Sequence, residues 1–197
     1  MNRFRDNGKY NVEFQKCIAV TCPVCQKMAS VLSDGKVWRP CNTKLFCENC
    51  GLVETKGNNR WYGPMIGLVK RRCYQCGRRL KKNIKGPKHS YQYNLVCPGC
   101  GCEMLEPIVW TRQFKPTACD PHFGLRLWFV GSVKGNEFWA YNREHLAFLK
   151  NYVSAKVRVR EPNLNSSLVS RLPTWMLSAK NRQAVIREIS KLERKFQ

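Results

Sequence analysis

In the first half of the chain, hydrophobic and polar residues alternate over short stretches, which is the spacing of half-buried β-strands. Residues 12–20 predict a strand. Residues 31–38 predict a hairpin, because Asp34 and Gly35 suit the positive φ angles of a type I′ turn. Residues 91–96, where tyrosine and leucine alternate with polar side chains, predict a further strand. The first half is therefore expected to consist of short strands.

From about residue 103 the pattern changes to one longer hairpin followed by helices. Residues 125–141 predict an aromatic-rich hairpin that turns at a Lys-Gly-Asn sequence. Asn142 is the predicted N-cap of a helix that runs to about Arg160, and Asn181 caps a last helix with an apolar stripe. We expect residues 103–197 to form a unit of their own around the hairpin and the last helix.

Cysteines add the clearest chemical signal. Four Cys-x-x-Cys pairs occur in the first hundred residues: Cys22/Cys25, Cys47/Cys50, Cys73/Cys76 and Cys97/Cys100. Each pair places two thiolates on one side of a tight loop, and two pairs complete the tetrahedral sulfur shell that zinc prefers. The unit repeats, because Cys73 follows Cys22 by 51 positions. The spacing predicts two zinc ions, one bound by the first two pairs and the other by the last two.

Disulfides and iron are the alternatives for a chain with twelve cysteines. Disulfides require an oxidising compartment. The first six residues carry no apolar signal segment, and no later run has the length of a membrane span. We therefore expect reduced thiols, a cytoplasmic location and no membrane partner. The sequence leaves open the roles of the other cysteines and of one nearby histidine: Cys17, Cys41, Cys102, Cys119 and His122.

The cysteine spacing over about residues 12–105 resembles that of the rubredoxin-like zinc ribbons found in transcription factors, polymerase subunits and other DNA-associated proteins. This resemblance implies small β domains with closed, structural metal sites. The tail is similar to uncharacterised bacterial zinc-ribbon proteins in its segments 138–142, 170–176 and 179–182. This likeness gives no information about activity.

The expected fold class is a small metal-stabilised β protein of two tandem zinc ribbons, followed by an α+β unit with a β-hairpin and C-terminal helices. The predicted domains are residues 1–66, with the first ribbon, residues 67–102, with the strongly basic second ribbon, and residues 103–197.

Charge suggests the partner. Lys and Arg number 35 against 13 Asp and Glu, a net charge of +22, which favours a polyanion. No acid occurs from Thr55 to Cys102, a stretch with eleven Lys and Arg residues, whereas a surface built for solubility mixes both signs. We predict nucleic acid as the partner, with DNA favoured over RNA. The candidate basic contacts, some of them expected in a loop after the third cysteine turn, are Lys70, Arg71, Arg72, Arg78, Arg79, Lys81, Lys82, Lys85 and Lys88. The candidate aromatic contacts are Trp61, Tyr62, Tyr74, Tyr91 and Tyr93.

Two functions stay open from the sequence. The first is a zinc-binding protein that contacts the nucleic-acid backbone through its second ribbon. The second is a zinc-stapled adaptor subunit that assembles a larger nucleic-acid-processing complex. We expect no enzymatic activity, because catalysis needs an acid, a base or an open metal position, and the chain has no recognisable catalytic motif.

Overall fold

The computed structural model describes residues 3–34, 42–55, 60–85, 90–113, 118–159 and 167–196 of the 197-residue chain. The chain divides into two compact units. Met1–Arg60 and Thr117–Gln197 form the first unit, and Trp61–Pro116 forms the second.

The strands in the described residues are β1 (Arg3–Arg5), β2 (Cys17–Thr21), β3 (Met28–Ser33), β4 (Thr43–Phe46), β5 (Val53–Thr55), β6 (Met65–Arg72), β7 (Arg79–Lys85), β8 (Gln92–Val96), β9 (Glu103–Pro107), β10 (Val109–Arg112), β11 (Phe129–Val133), β12 (Asn136–Ala140) and β13 (Val157–Val159). The α-helices are α1 (Arg143–Ser154), α2 (Thr174–Leu177) and α3 (Arg182–Glu193). Short 3₁₀ helices span Asn11–Lys16, Val169–Arg171, Ala179–Asn181 and Arg194–Phe196. None of the helices in the described ranges is both long and apolar enough to cross a membrane.

In the first unit, β2, β3, β4 and β5 form an antiparallel sheet in that order. Ile18, Val31 and Leu45 are neighbours on successive strands and share the buried face. The strand predicted over residues 12–20 begins only at Cys17. The residues before it form a 3₁₀ helix, in which the Glu13 carboxylate accepts a hydrogen bond from the Tyr10 N–H at 2.7 Å.

Two hairpins were predicted in this unit. Strand β3 ends at Ser33, which pairs with Thr43 of β4, and the predicted turn residue Gly35 and its second arm lie outside the described residues. The β11–β12 hairpin is confirmed. Its turn consists of Lys134 and Gly135, whose φ angles of 50° and 82° are both positive, as a type I′ turn requires.

The start of α1 is as predicted, but its end is earlier. Asn142 Oδ1 accepts a hydrogen bond from the His145 N–H at 2.8 Å, so Asn142 is the N-cap. The helix ends at Ser154 and not near Arg160, because the chain then forms β13, which pairs in parallel with β1. The Arg158 guanidinium donates to carbonyl groups of the last helical turn, including that of Tyr152 at 3.1 Å.

Residues after 117 contact the first sheet directly. The Ala19 N–H donates to the Tyr141 carbonyl at 2.7 Å, and the Thr21 N–H donates to the Arg126 carbonyl at 2.8 Å. The sequence-based division assigned residues 103–197 to a unit of their own. In the structure, β9 and β10 belong to the second unit, and residues from 117 onward belong to the first.

The second unit contains a three-stranded antiparallel sheet, in the order β10, β6, β7, and the antiparallel β8–β9 hairpin. Its buried core includes Val69, Leu80, Leu95 and Met104. Residues 79–85 form strand β7, so most of the basic residues expected in a loop after the third cysteine turn lie in a strand. Leu80 of this strand is buried in the core of the second unit.

Candidate functional site

The first cysteine cluster lies in the first unit, between the ends of two strand pairs. Cys22 and Cys25 lie between β2 and β3, and Cys47 and Cys50 lie between β4 and β5. The Cys22 and Cys50 Sγ atoms are 3.7 Å apart, the Cys25 and Cys47 Sγ atoms are 3.6 Å apart, and all four lie within 4.8 Å of one another. A tetrahedral site with metal–sulfur distances of about 2.3 Å has sulfur–sulfur edges of about 3.8 Å, so the four thiols fit a single metal ion.

The second cluster repeats this arrangement in the second unit. Cys73 and Cys76 lie between β6 and β7, and Cys97 and Cys100 lie between β8 and β9. The Cys73–Cys100 and Cys76–Cys97 Sγ distances are both 3.5 Å, and the four sulfurs again lie within 4.8 Å of one another. Two such clusters are compatible with tandem zinc ribbons.

All four cysteine turns share one backbone conformation. The residue after the second cysteine donates its N–H to the carbonyl of the first cysteine and has a positive φ angle. Glycine occupies this position in three turns, as Gly51, Gly77 and Gly101, with φ angles of 70°, 70° and 75°. Glycine suits it because a Cβ atom disfavours left-handed backbone. The exception is Gln26, with φ of 60°.

The surroundings of the thiols in the first cluster shift their pKa values in opposite directions. The backbone N–H of Lys27 lowers the pKa of Cys25 to about 6. The backbone N–H of Leu52 acts in the same sense on Cys50, but burial and the neighbouring sulfurs outweigh it and raise the pKa of Cys50 to about 12.

The second cluster behaves in the same way. The backbone N–H of Cys76 lowers the pKa of Cys73 to about 6. The backbone N–H of Cys102 favours the Cys100 thiolate, yet the Cys73 sulfur and burial raise the pKa of Cys100 to about 12. Like charges at these distances repel, so full ionisation of four such sulfurs requires a cation between them. This electrostatic demand is a second reason why the clusters suit a metal ion.

The remaining cysteines form no further cluster in the described part of the chain, where groups of metal-ligating side chains are limited to the two above. Cys17 is exposed, Cys102 is buried and Cys119 is half-buried. Cys41 lies outside the described residues. The described cysteines are all free thiols, and the sulfur–sulfur distances in the clusters far exceed the roughly 2.05 Å of a disulfide.

The candidate basic contacts lie mostly on β6 and β7, which pair in antiparallel register. Lys70 lies opposite Lys81, and Arg72 lies opposite Arg79. Arg71 is engaged elsewhere, since its Nε atom lies 3.1 Å from Glu106 Oε1. Exposed positions on these two strands are Lys70, Arg71, Arg72, Arg79, Lys81, Lys82 and Lys85. Lys88 lies outside the described residues.

Arg78 has a separate setting, just before β7. The carbon of its guanidinium lies 3.1 Å from the point where a Cβ atom on Gly99 would stand. Gly99 is part of the Cys97-to-Cys100 turn, so the Arg78 guanidinium lies against the backbone of that turn. The sequence gives no local signal for this contact, because it joins two different cysteine turns.

The five candidate aromatic residues lie in different environments in the structure. Tyr74 and Tyr91 are exposed, and Tyr62 is half-buried. Tyr93 packs against the core of the second unit. The Trp61 indole N–H donates to the Pro64 carbonyl at 3.1 Å, and the Arg112 guanidinium lies 5.1 Å from the Trp61 ring centroid.

Comparison with protein-family models, with curated proteins and with solved structures finds no match for this chain.

Proposed function

We propose that this protein is a zinc-binding, nucleic-acid-binding protein whose second unit contacts the phosphate backbone. Cys22, Cys25, Cys47 and Cys50 hold one zinc ion, and Cys73, Cys76, Cys97 and Cys100 hold the other. Zinc bound at these sites supplies positive charge and cross-links two loops. Iron accepts the same ligands, and metal analysis distinguishes the two. A metal with four thiolates has no open position for water or substrate, so we propose a structural role for the metal and no catalysis.

The observation that carries the nucleic-acid proposal is the pairing of like charges across β6 and β7. Lys70 faces Lys81, and Arg72 faces Arg79. Like charges directly opposite each other on neighbouring strands destabilise a sheet. Within the described residues, none of these four cations pairs with a carboxylate. Phosphate groups laid across the strands offset this repulsion, which makes the arrangement favourable in a complex.

An adaptor subunit of a nucleic-acid-processing complex is the second candidate. One observation favours it: Val96 and Leu105, on the β8–β9 hairpin, are 52% and 64% exposed. Exposed apolar side chains close together on one hairpin suit contact with another protein. The adaptor hypothesis predicts that the chain binds nucleic acid only when such a partner is present.

A salt titration of the purified, zinc-loaded chain tests the proposal. Fluorescence anisotropy with labelled DNA and RNA should show binding that weakens steeply as salt rises, because each neutralised phosphate releases a counterion. Charge reversal at Arg78, Arg79, Lys81 and Lys82 should weaken binding and flatten the salt slope by roughly 0.7 to 0.9 for every phosphate that the variant no longer binds.

The matched control reverses four charges of the first unit, at Arg187, Lys191, Arg194 and Lys195. This variant should retain most of the affinity. If it fails to bind while the second-unit variant still binds, the surface belongs to the first unit. If the wild-type chain binds neither DNA nor RNA at low salt, the adaptor hypothesis replaces the proposal.

A further inference from the structure

The register of the three-stranded sheet sorts its side chains onto two faces. Side chains alternate along a strand, and residues directly opposite each other on neighbouring strands share a face. Lys70, Arg72, Arg79 and Lys81 therefore project from one face, in two opposed pairs that are two residues apart. Neighbouring strands lie about 4.8 Å apart, and alternate residues about 6.7 Å apart, so the four cations form a compact grid.

The same face continues away from the grid as a largely neutral surface. Leu68, two residues before Lys70, lies opposite Val109 of β10 on one side and Asn83 of β7 on the other. Val109 is 60% exposed, so its side chain is open to contact on this face. We define the open face as Ile66, Leu68, Lys70, Arg72, Arg79, Lys81, Asn83, Lys85, Val109 and Thr111.

The other face of the sheet carries two of the candidate basic residues and is the face that packs on the core. Arg71 lies opposite Leu80, and Lys82 lies opposite Val69, and both of these apolar partners are buried. Arg71 also pairs with Glu106. Residues adjacent in sequence thus belong to different environments.

We propose that the open face binds single-stranded nucleic acid, with phosphates on the cation grid and bases on Leu68 and Val109. This inference rests on the proposed nucleic-acid function and specifies its substrate class. The open face carries no carboxylate among its described residues, so no acid on that face competes with phosphate for the grid.

The apolar part of the face distinguishes a single strand from a duplex. The major groove of DNA admits a helix or a two-stranded ribbon, and a three-stranded sheet is wider than either. Against a duplex the open face would meet phosphates on the outside, leaving Leu68 and Val109 against charged groups. A single strand exposes the flat, weakly polar surfaces of its bases, which can cover apolar side chains while the phosphates lie on the cations.

Two double variants with equal charge change test the face assignment in the full zinc-loaded chain. K70A/K81A removes two open-face cations, and R71A/K82A removes two cations from the same strands on the core-packed face. The probes are labelled oligothymidine, its RNA equivalent, a duplex with the same number of phosphates, and polyglutamate. Retention of two zinc ions per chain checks that each variant is folded.

We expect the affinity of K70A/K81A for oligothymidine to fall less steeply with salt than that of the wild type. The slope of log affinity against log salt should decrease in magnitude by about 1.4, the value for a single strand with two fewer phosphates neutralised. R71A/K82A should change the slope by much less, because these two side chains leave the sheet on its other face. L68S/V109S should weaken single-strand binding several-fold and leave duplex binding as in the wild type.

Equal effects of the two charge variants would overturn the face assignment while leaving the proposed function intact. Preference of the wild-type chain for the duplex, or equal affinity for polyglutamate, would overturn the single-strand assignment. No binding of any nucleic acid would overturn the proposed function itself, and this inference with it.

Discussion

The Asn142 side chain accepts a hydrogen bond from the His145 N–H at 2.8 Å and so closes the first turn of α1. Its Nδ2 atom simultaneously donates to the carbonyl groups of Phe14 and Cys17, both at 2.8 Å. One side chain thus caps a helix and fastens it to a segment more than a hundred positions away. Cap formation is local in sequence, whereas the two donated bonds link the helix to the start of β2.

Replacing Asn142 should therefore destabilise the first unit by two separable mechanisms. N142A removes the cap and the donated bonds, and we expect a cost of about 2 to 3 kcal/mol. N142S keeps a cap acceptor but lacks the amide group that donates to both carbonyls, so its cost should be smaller. Urea unfolding followed by far-UV circular dichroism measures this, because the helices of the described chain all lie in the first unit. Equal costs for N142S and N142A would assign the whole effect to the donated bonds.

His145 predicts a loss of stability in acid. It is buried, stacks on Phe14 at a ring-centroid distance of 4.6 Å, and accepts a hydrogen bond at Nδ1 from the Tyr141 N–H. Burial lowers its pKa from 6.5 to about 3. The folded-state pKa lies below the unfolded one, so the unfolded chain binds the proton more readily. The contribution of His145 is present above about pH 6.5 and is lost as the pH falls from there towards 3.

The variant H145Q isolates this effect, since glutamine offers an acceptor but does not titrate in this range. Between pH 6 and 4 the wild-type stability should fall more steeply than that of H145Q, by at most about 1.4 kcal/mol per pH unit. Acid release of metal from the thiolates occurs in both proteins and cancels in the comparison. Parallel stability curves would contradict the prediction.

Metal content provides a direct prediction for the two cysteine clusters. Elemental analysis of the reduced, folded chain should return two zinc ions. C73S should retain one and unfold the second unit, because metal binding and folding are coupled in so small a domain. Its far-UV helical signal should persist, since the described helices lie in the first unit. C102S, which alters a buried cysteine of the same unit outside the cluster, should retain both ions.

Gln26 holds the position that glycine occupies in the other three cysteine turns, and we predict that a substitution there stabilises the protein. Gln26 has φ of 60°, where a side chain is strained, and Gly51 occupies the matching position of the partner turn with φ of 70°. Q26G should stabilise the first unit by up to about 1 kcal/mol, since relief of strain exceeds the added backbone entropy of glycine. G51A should destabilise it by about 1 kcal/mol. Urea unfolding of the zinc-loaded variants measures both, and a destabilised Q26G would show that a side-chain interaction outweighs the strain.

The sequence alone predicted the structural features that a few neighbouring residues define, namely the cysteine turns, a hairpin turn and a helix cap. A Cys-x-x-Cys turn closes through bonds within six residues, so the eight clustered cysteines were predicted correctly as two groups. Lys134 and Gly135 define the β11–β12 turn by their own φ angles, and Asn142 caps α1 within three residues. Each of these features depends on steric preferences and hydrogen bonds that stay the same whatever the rest of the chain does.

The tertiary structure decided the features that depend on pairing between distant segments. Helix α1 ends at Ser154 because the following residues pair with β1, which lies near the other end of the chain. Lys70 and Arg71 lie on opposite faces because side chains alternate along β6. That Lys70 shares its face with Lys81 follows from the register with β7, which the sequence analysis did not predict because it expected residues of 79–85 in a loop. The strand register and the end of the helix depend on the burial of side chains, such as Val69 and Leu80, against residues from distant segments. The local sequence does not specify those residues.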